Sequence, residues 1–164
     1  MCIRDRGRNE LGDECIVQIA RALKENSKDS RLASLDINGF NSTKKIGPTG
    51  GKEIAEYIST STSLTYLDLS YNTIGPAGAK ELAEYISVSG SLTCCNVLWN
   101  QTDVDAARSL VEAVKDSKIS LCGILLDQTT ADFFDKGLKP PDAILLASDL
   151  SKADVSASLT SLNL

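Results

Sequence analysis

The residue types that usually carry catalysis are thin in this chain. It has 164 residues and no histidine. A serine or cysteine therefore has no imidazole base to activate it. Five cysteines are present, but no C-x-x-C pair and no histidine spacing that would make a zinc site. Gly47-Pro48-Thr49-Gly50-Gly51-Lys52 has the look of a phosphate loop. It lacks the first glycine, because Ile46 stands there, and Glu53 replaces the Ser or Thr that would hold Mg²⁺. Asn41-Ser42-Thr43 and Asn100-Gln101-Thr102 match the glycosylation triplet, with Asn100 expected to be buried. The chain is thus predicted not to be an enzyme, and to use no cofactor and no metal.

What remains suits binding. Trp99, the lone tryptophan, lies 28 residues after Tyr71. Tyrosine and tryptophan dominate interaction hot spots, although both also serve to cover the edge of a core. Asp36 and Asp68 are a second feature, fitted either to a partially basic partner or to an ordinary solvated face. The net charge of −5 argues against nucleic acid, which needs a basic stripe. No stretch approaches the eighteen apolar residues of a membrane-spanning helix.

The elements that place these residues follow from one stretch, Ser63-Leu64-Thr65-Tyr66-Leu67-Asp68-Leu69-Ser70-Tyr71-Asn72-Thr73-Ile74. Leu64, Leu67 and Leu69 show the spacing L-x-x-L-x-L, and Asn72 follows. Alternate residues of a strand point to opposite faces, so the leucines turn inward and the residues between them outward. Leu32, Leu35 and Ile37 repeat the pattern, as do Leu92, Cys95 and Val97, with Asn100 in the place of Asn72. Helical spacing separates the copies. Ile16, Ile19, Ala20 and Leu23 predict a helix over about 13–26; Ile54, Ala55 and Ile58, then Ala79, Leu82, Ala83 and Ile86, then Ala107, Leu110, Val111 and Val114 predict three more.

Outward positions then line up across copies. Ser34, Tyr66, Cys94, Gly123 and Ser161 are expected to form one row; Asp36, Asp68, Asn96, Leu125 and Asn163 the next; Asn38, Ser70, Leu98 and Asp127 the third. Tyr71 and Trp99 should lie side by side at the sheet edge. Asn72 and Asn100 are expected to form a structural ladder that bonds backbone groups in the turns.

The copies are uneven. Leu32 to Leu64 spans 32 residues against 28 for Leu64 to Leu92, which places extra residues in a loop at 39–45. The stretch 121–158 is an irregular, inserted repeat. Leu121, Ile124 and Leu126 fit the strand pattern, and so does the region of Phe133–Leu138; the former is expected to be the ladder strand. Residues 1–6, Met-Cys-Ile-Arg-Asp-Arg, resemble a translated sequencing-adapter end and are expected to lie outside the fold. The copying of Ser63–Leu69 by Ser158–Leu164 predicts a domain cut within a repeat at both ends. Residues 7–164 then form a single domain of about five repeats, whose uncapped ends should self-associate.

A strand–turn–helix unit of 28 residues with this pattern resembles the ribonuclease-inhibitor-like class of leucine-rich repeats. That class includes ribonuclease inhibitor, the repeat regions of NOD-like receptors and the Ran GTPase-activating protein. The resemblance implies an α/β solenoid, a horseshoe arc with parallel strands on the concave side and helices on the convex side. It further implies a cytoplasmic, non-catalytic scaffold for an unidentified protein partner. The alternatives it leaves open are a GTPase activator similar to the Ran-specific one and the sensor arm of a larger receptor.

Overall fold

The computed structural model describes residues 10–164. The adapter-like residues 1–6 and the first three residues of the turn that follows, 7–9, lie outside the described residues. Strand and helix alternate along most of the chain: α1 (Asp13–Glu25), β1 (Ser34–Asp36), α2 (Pro48–Thr60), β2 (Tyr66–Asp68), α3 (Gly75–Ile86), β3 (Cys94–Asn96) and α4 (Val104–Val114). Then come β4 (Thr130–Asp132), α5 (Pro140–Leu150), the short α6 (Ala153–Ser158) and β5 (Ser161–Asn163). Among the described residues no helix is long and apolar enough to cross a membrane.

The strands β1, β2 and β3 form one parallel sheet in chain order. Leu35 pairs with Leu67 and Leu67 with Cys95, so the inward positions share one row. The helices stack in the same order, α1 on α2, α2 on α3, α3 on α4 and α4 on α5. Each helix turns its apolar stripe toward the sheet. Ile54, Ala55 and Ile58 of α2, and Ala79, Leu82, Ala83 and Ile86 of α3, are buried, as are Leu64, Leu67, Leu69 and Ile74 of the intervening unit. Burying one such leucine contributes about 1.5–3 kcal/mol. The end helix differs: Ile16 and Ala20 of α1 are buried, while Ile19 is 36% exposed. No described helix packs on that side.

Close helix packing explains the glycines of the phosphate-loop-like stretch and its copy. A Cβ on Gly78 would lie 2.6 Å from Ile74 Cγ2 and 3.1 Å from the Pro48 Cα, so α3 approaches α2 there through bare backbone. Gly50 in the preceding helix faces Asp13 in the same way, and its N–H donates to Asp13 Oδ1 at 3.0 Å.

The irregular unit departs from the sequence expectation. Leu121–Leu126 is not a strand. Its run is broken at Gly123, whose φ of +78° lies in the left-handed region. Among the described residues, an isolated bridge between Cys94 and Ser120 and the Val97 N–H bond to Leu121 O continue the first sheet. The strand of this unit is Thr130–Asp132, and it pairs in parallel with Ser161–Asn163 in a separate two-stranded sheet. Leu121, Cys122 and Ile124 are still buried, so their spacing reports a core segment that caps the end of the first sheet.

Candidate protein-interaction face

The outward rows are set by strand register. Ser34 pairs with Tyr66 and Tyr66 with Cys94; Asp36 pairs with Asp68 and Asp68 with Asn96. Each strand ends by the same device. Asp36 Oδ1 accepts the Asn38 N–H at 3.2 Å and the Asn38 Nδ2 at 2.6 Å. Asp68 Oδ1 accepts the Ser70 N–H at 2.9 Å and its hydroxyl at 2.6 Å. Asn96 Oδ1 accepts the Leu98 N–H at 3.3 Å, and Asp132 Oδ1 the Phe134 N–H at 3.0 Å. A short side-chain acceptor bonding the backbone two residues on is a turn-forming contact that competes with the ladder. It takes the Asn38, Ser70 and Leu98 N–H groups out of the ladder, and it gives the aspartates a structural duty beside any binding one.

Asn72 and Asn100 sit below the strand ends, both buried. Asn72 Oδ1 accepts the Ile46 N–H at 3.0 Å, and its Nδ2 donates to Leu69 O at 2.9 Å and Ile37 O at 3.1 Å. Asn100 repeats this one unit on. It accepts the Ile74 N–H at 3.3 Å and donates to Val97 O at 3.0 Å and Leu69 O at 2.9 Å. Each amide therefore joins its own unit to the one before it, satisfying polar backbone inside the core.

At the edge of the sheet the aromatic side chains gather. Tyr71 and Trp99 stack with ring centroids 4.2 Å apart and planes 13° apart. Phe40 meets Tyr71 edge to face at 4.8 Å, and Phe133 lies 6.5 Å from Trp99. The row therefore crosses four successive units. Tyr71 and Trp99 both have positive φ, 59° and 57°. Asp135, at the corresponding place after β4, has φ 53°. Aspartate tolerates this conformation; large side chains do so at a cost of about 1–2 kcal/mol. The Trp99 N–H donates to Asp142 Oδ1 at 2.9 Å, while Asp142 Oδ2 accepts the Lys139 N–H at 2.9 Å and so caps α5. Trp99 Nε1 is buried with no hydrogen-bond partner among the described residues.

Several named positions are not open. Cys94 and Leu98 are buried. Ser120 bridges to Cys94 beside the third strand, and a Cβ on Gly123 would lie 3.1 Å from Asn96 Nδ2, so the segment after α4 shields that strand. Burial first, then the charges of Asp149 and Asp68, push the Cys94 thiol up to about 12, which leaves it protonated and unreactive. Ser70 is buried too. Asp36 and Asn38 are exposed, and Ser34, Tyr66, Asp68, Tyr71, Asn96 and Trp99 are half-buried. The open face thus lies over β1 and β2 and runs to the aromatic edge. On it, burial pushes the Tyr66 phenol well above its ordinary value, with the charge of Asp68 the next cause. Burial likewise raises the Asp68 carboxyl, partly offset by its bonds from Ser70.

Two contributors were hidden from sequence reasoning. Phe40 is 31 residues before Tyr71, off the 28-residue period, and joins the row because loop 37–47 is long. Gly39 allows its approach: a Cβ there would meet Tyr71 O at 2.3 Å. Asp149 is wholly buried and accepts from Ser120 Oγ at 2.7 Å and from the N–H groups of Leu121 and Cys122 at 2.9 Å. Its only sequence signal is an acid on the apolar stripe of α5.

With this geometry in place, comparison with known proteins supplies the class. The family model described as Leucine Rich repeat matches residues 60–83, which hold β2 and most of α3. No curated protein matches the chain. Among solved structures, the tropomodulin C-terminal domain of Caenorhabditis elegans is similar over 90% of this chain and 81% of that one, with a TM-score of 0.58 and 17% identity. The chain has a leucine-rich-repeat fold of mixed α/β type, with short parallel strands. At that identity the likeness speaks for the fold alone.

Proposed function

We propose that this domain is a non-catalytic protein-interaction module that binds its partner on the open face of β1 and β2 and along the aromatic edge. The row Phe40, Tyr71 and Trp99 carries this reading. Phe40 is 60% exposed at the outer end of that row, and Tyr71 and Trp99 hold a backbone conformation that favours smaller residues. Repeats that stack a sheet on one side are used generally as extended binding surfaces. The stacking of helices in chain order and the Asn72–Asn100 ladder support a curved, ribonuclease-inhibitor-like arrangement with the strands on the concave side. The free thiols of Cys94, Cys95 and Cys122 suit the reducing cytoplasm. An apolar hollow of about 460 Å³ bordered by Phe133, Leu146, Leu150 and Leu164 favours self-association of the isolated domain. Neither a GTPase activator nor a receptor sensor arm is favoured by any particular feature of the face.

The test is site-specific photo-crosslinking in cells. A benzoylphenylalanine is placed at Phe40 or, as a control, at Val88 beyond α3, which is 67% exposed. A discrete polypeptide adduct should form from position 40 and not from 88. Adducts from 88 alone would place the partner on the helical side and remove the proposal.

A further inference from the structure

The two charged side chains on strands β1 and β2, Asp36 and Asp68, are both acidic. Asp36 and Asp68 stand opposite each other on paired strands. Like charges directly opposite in a sheet are destabilising. Among the described residues, lysine and arginine form ion pairs with Glu53, Glu56, Glu81, Glu112, Asp149 and Asp154, and with neither Asp36 nor Asp68. Each of the two carboxylates commits Oδ1 to its own strand end. Asp36 is exposed, and among the described residues its second oxygen has no hydrogen-bond partner.

Aromatic surface borders the same acids. The Tyr66 hydroxyl reaches Asp68 Oδ2 at 3.5 Å, and the field of Asp68 raises the Tyr71 phenol, second to burial. Phe40 presents an open ring beyond Tyr71. Carboxylates beside exposed ring faces form a site for guanidinium groups, which fork onto carboxylates and stack on aromatic rings.

We propose that the face over β1 and β2 takes an extended polypeptide segment bearing arginine, its cations set between Asp36 and Asp68 and its neighbouring residues laid along Phe40 and Tyr71. This deepens, and rests on, the interaction face proposed above. The sequence charge of −5 agrees with a basic partner approaching by electrostatic steering.

The fold itself supplies a clean perturbation. Asn96 occupies the aspartate position on β3 and closes its strand by the same bond. Asp36→Asn and Asp68→Asn should therefore keep the strand ends and remove only charge. Dodecapeptides displayed on phage are selected on the immobilised domain, and their affinity is then measured on wild type, on Asp36→Asn/Asp68→Asn, and on Phe40→Ala. The inference expects arginine-rich peptides that lose affinity on Phe40→Ala. It expects a further weakening of about tenfold or more on the double amide variant, a loss of 1.4 kcal/mol or more, and weaker binding at raised salt. Peptides that depend on Phe40 but are neutral or acidic, or that bind the amide variant equally well, overturn the basic-segment inference and leave the interaction face standing. Selection that yields no peptide dependent on Phe40 overturns both.

Discussion

Replacing Asp149 by alanine should unfasten the segment that shields the third strand. The carboxylate accepts from the Ser120 hydroxyl and from the backbone N–H groups of Leu121 and Cys122, and Lys152 Nζ lies 3.5 Å away. Asp149, Ser120, Leu121 and Cys122 are all buried, and Lys152 is half-buried. Ser120 has a second use, since its Oγ also accepts the Ile124 N–H at 3.0 Å. Without the carboxylate, two main-chain donors lose their acceptor, at about 1–3 kcal/mol each. Removing one partner of a buried pair costs about 3–5 kcal/mol in total. The two figures describe overlapping losses, so we expect roughly 3–4 kcal/mol. In a chain of this size that lowers the Tm by roughly 6–16 °C. Asp149→Asn retains one acceptor oxygen and should lose about half as much. Urea unfolding followed by the fluorescence of Trp99 reads both. A companion measurement is alkylation of Cys94 and Cys122, which are shielded by this segment in the intact fold. Loss of less than about 1 kcal/mol in Asp149→Ala, with both thiols still protected, would refute the view that this acid holds the segment in place.

Asp68 gives a pH test. Its carboxyl is raised by burial first, so the folded chain holds that proton more tightly than the unfolded one. The stability this contributes is complete below the unfolded value of about 3.9 and is lost as pH rises through the folded value. Asp68→Asn should therefore gain on wild type in urea midpoint as pH rises from about 4 to 7, and a constant difference across that range would count against it. The apolar hollow beside Leu164 predicts that the isolated domain forms dimers or larger species in sedimentation at high concentration. Leu164→Lys should shift it toward monomer, and a monomeric wild type would remove the idea.

How far the sequence could be read varies with what each residue is doing. Leu64, Leu67, Leu69 and Asn72 recur because every unit needs the same core and the same turn bonds, and recurrence is visible in a string of letters. The register of Ser34, Tyr66 and Cys94, and of Asp36, Asp68 and Asn96, followed from it. Exposure did not. Cys94 and Leu98 are outward by alternation but buried by a neighbour that the period does not describe. Leu121–Leu126 had strand spacing because a buried capping turn also needs leucines. The strand at Thr130–Asp132 has one inward residue, Ala131, too little to mark it. The roles of Asp142 and Asp149 were not legible, since nothing local says that the backbone they bind lies 43 and 28 residues away.

The division of the sheet has a consequence for how the domain comes apart. Between β1 and β3 the units are joined by continuous strand pairing, by the asparagine ladder and by stacked helices. Between β3 and the segment before β4 the pairing falls to the Cys94–Ser120 bridge and the Val97–Leu121 backbone bond, and the joint rests further on α4 against α5, on Asp149, and on the Trp99–Asp142 bond. In a nearest-neighbour description of repeat stability this is the weak coupling term. Amide hydrogens in α5 and β5 should exchange through a partial opening that leaves α2, β2 and α3 protected. Trp99 belongs to the first group of units by sequence and to the second by its hydrogen bond. The residue at the centre of the aromatic row therefore also lies at the seam where partial opening is expected, and a ligand that grips it should tie the two sides into one cooperative unit.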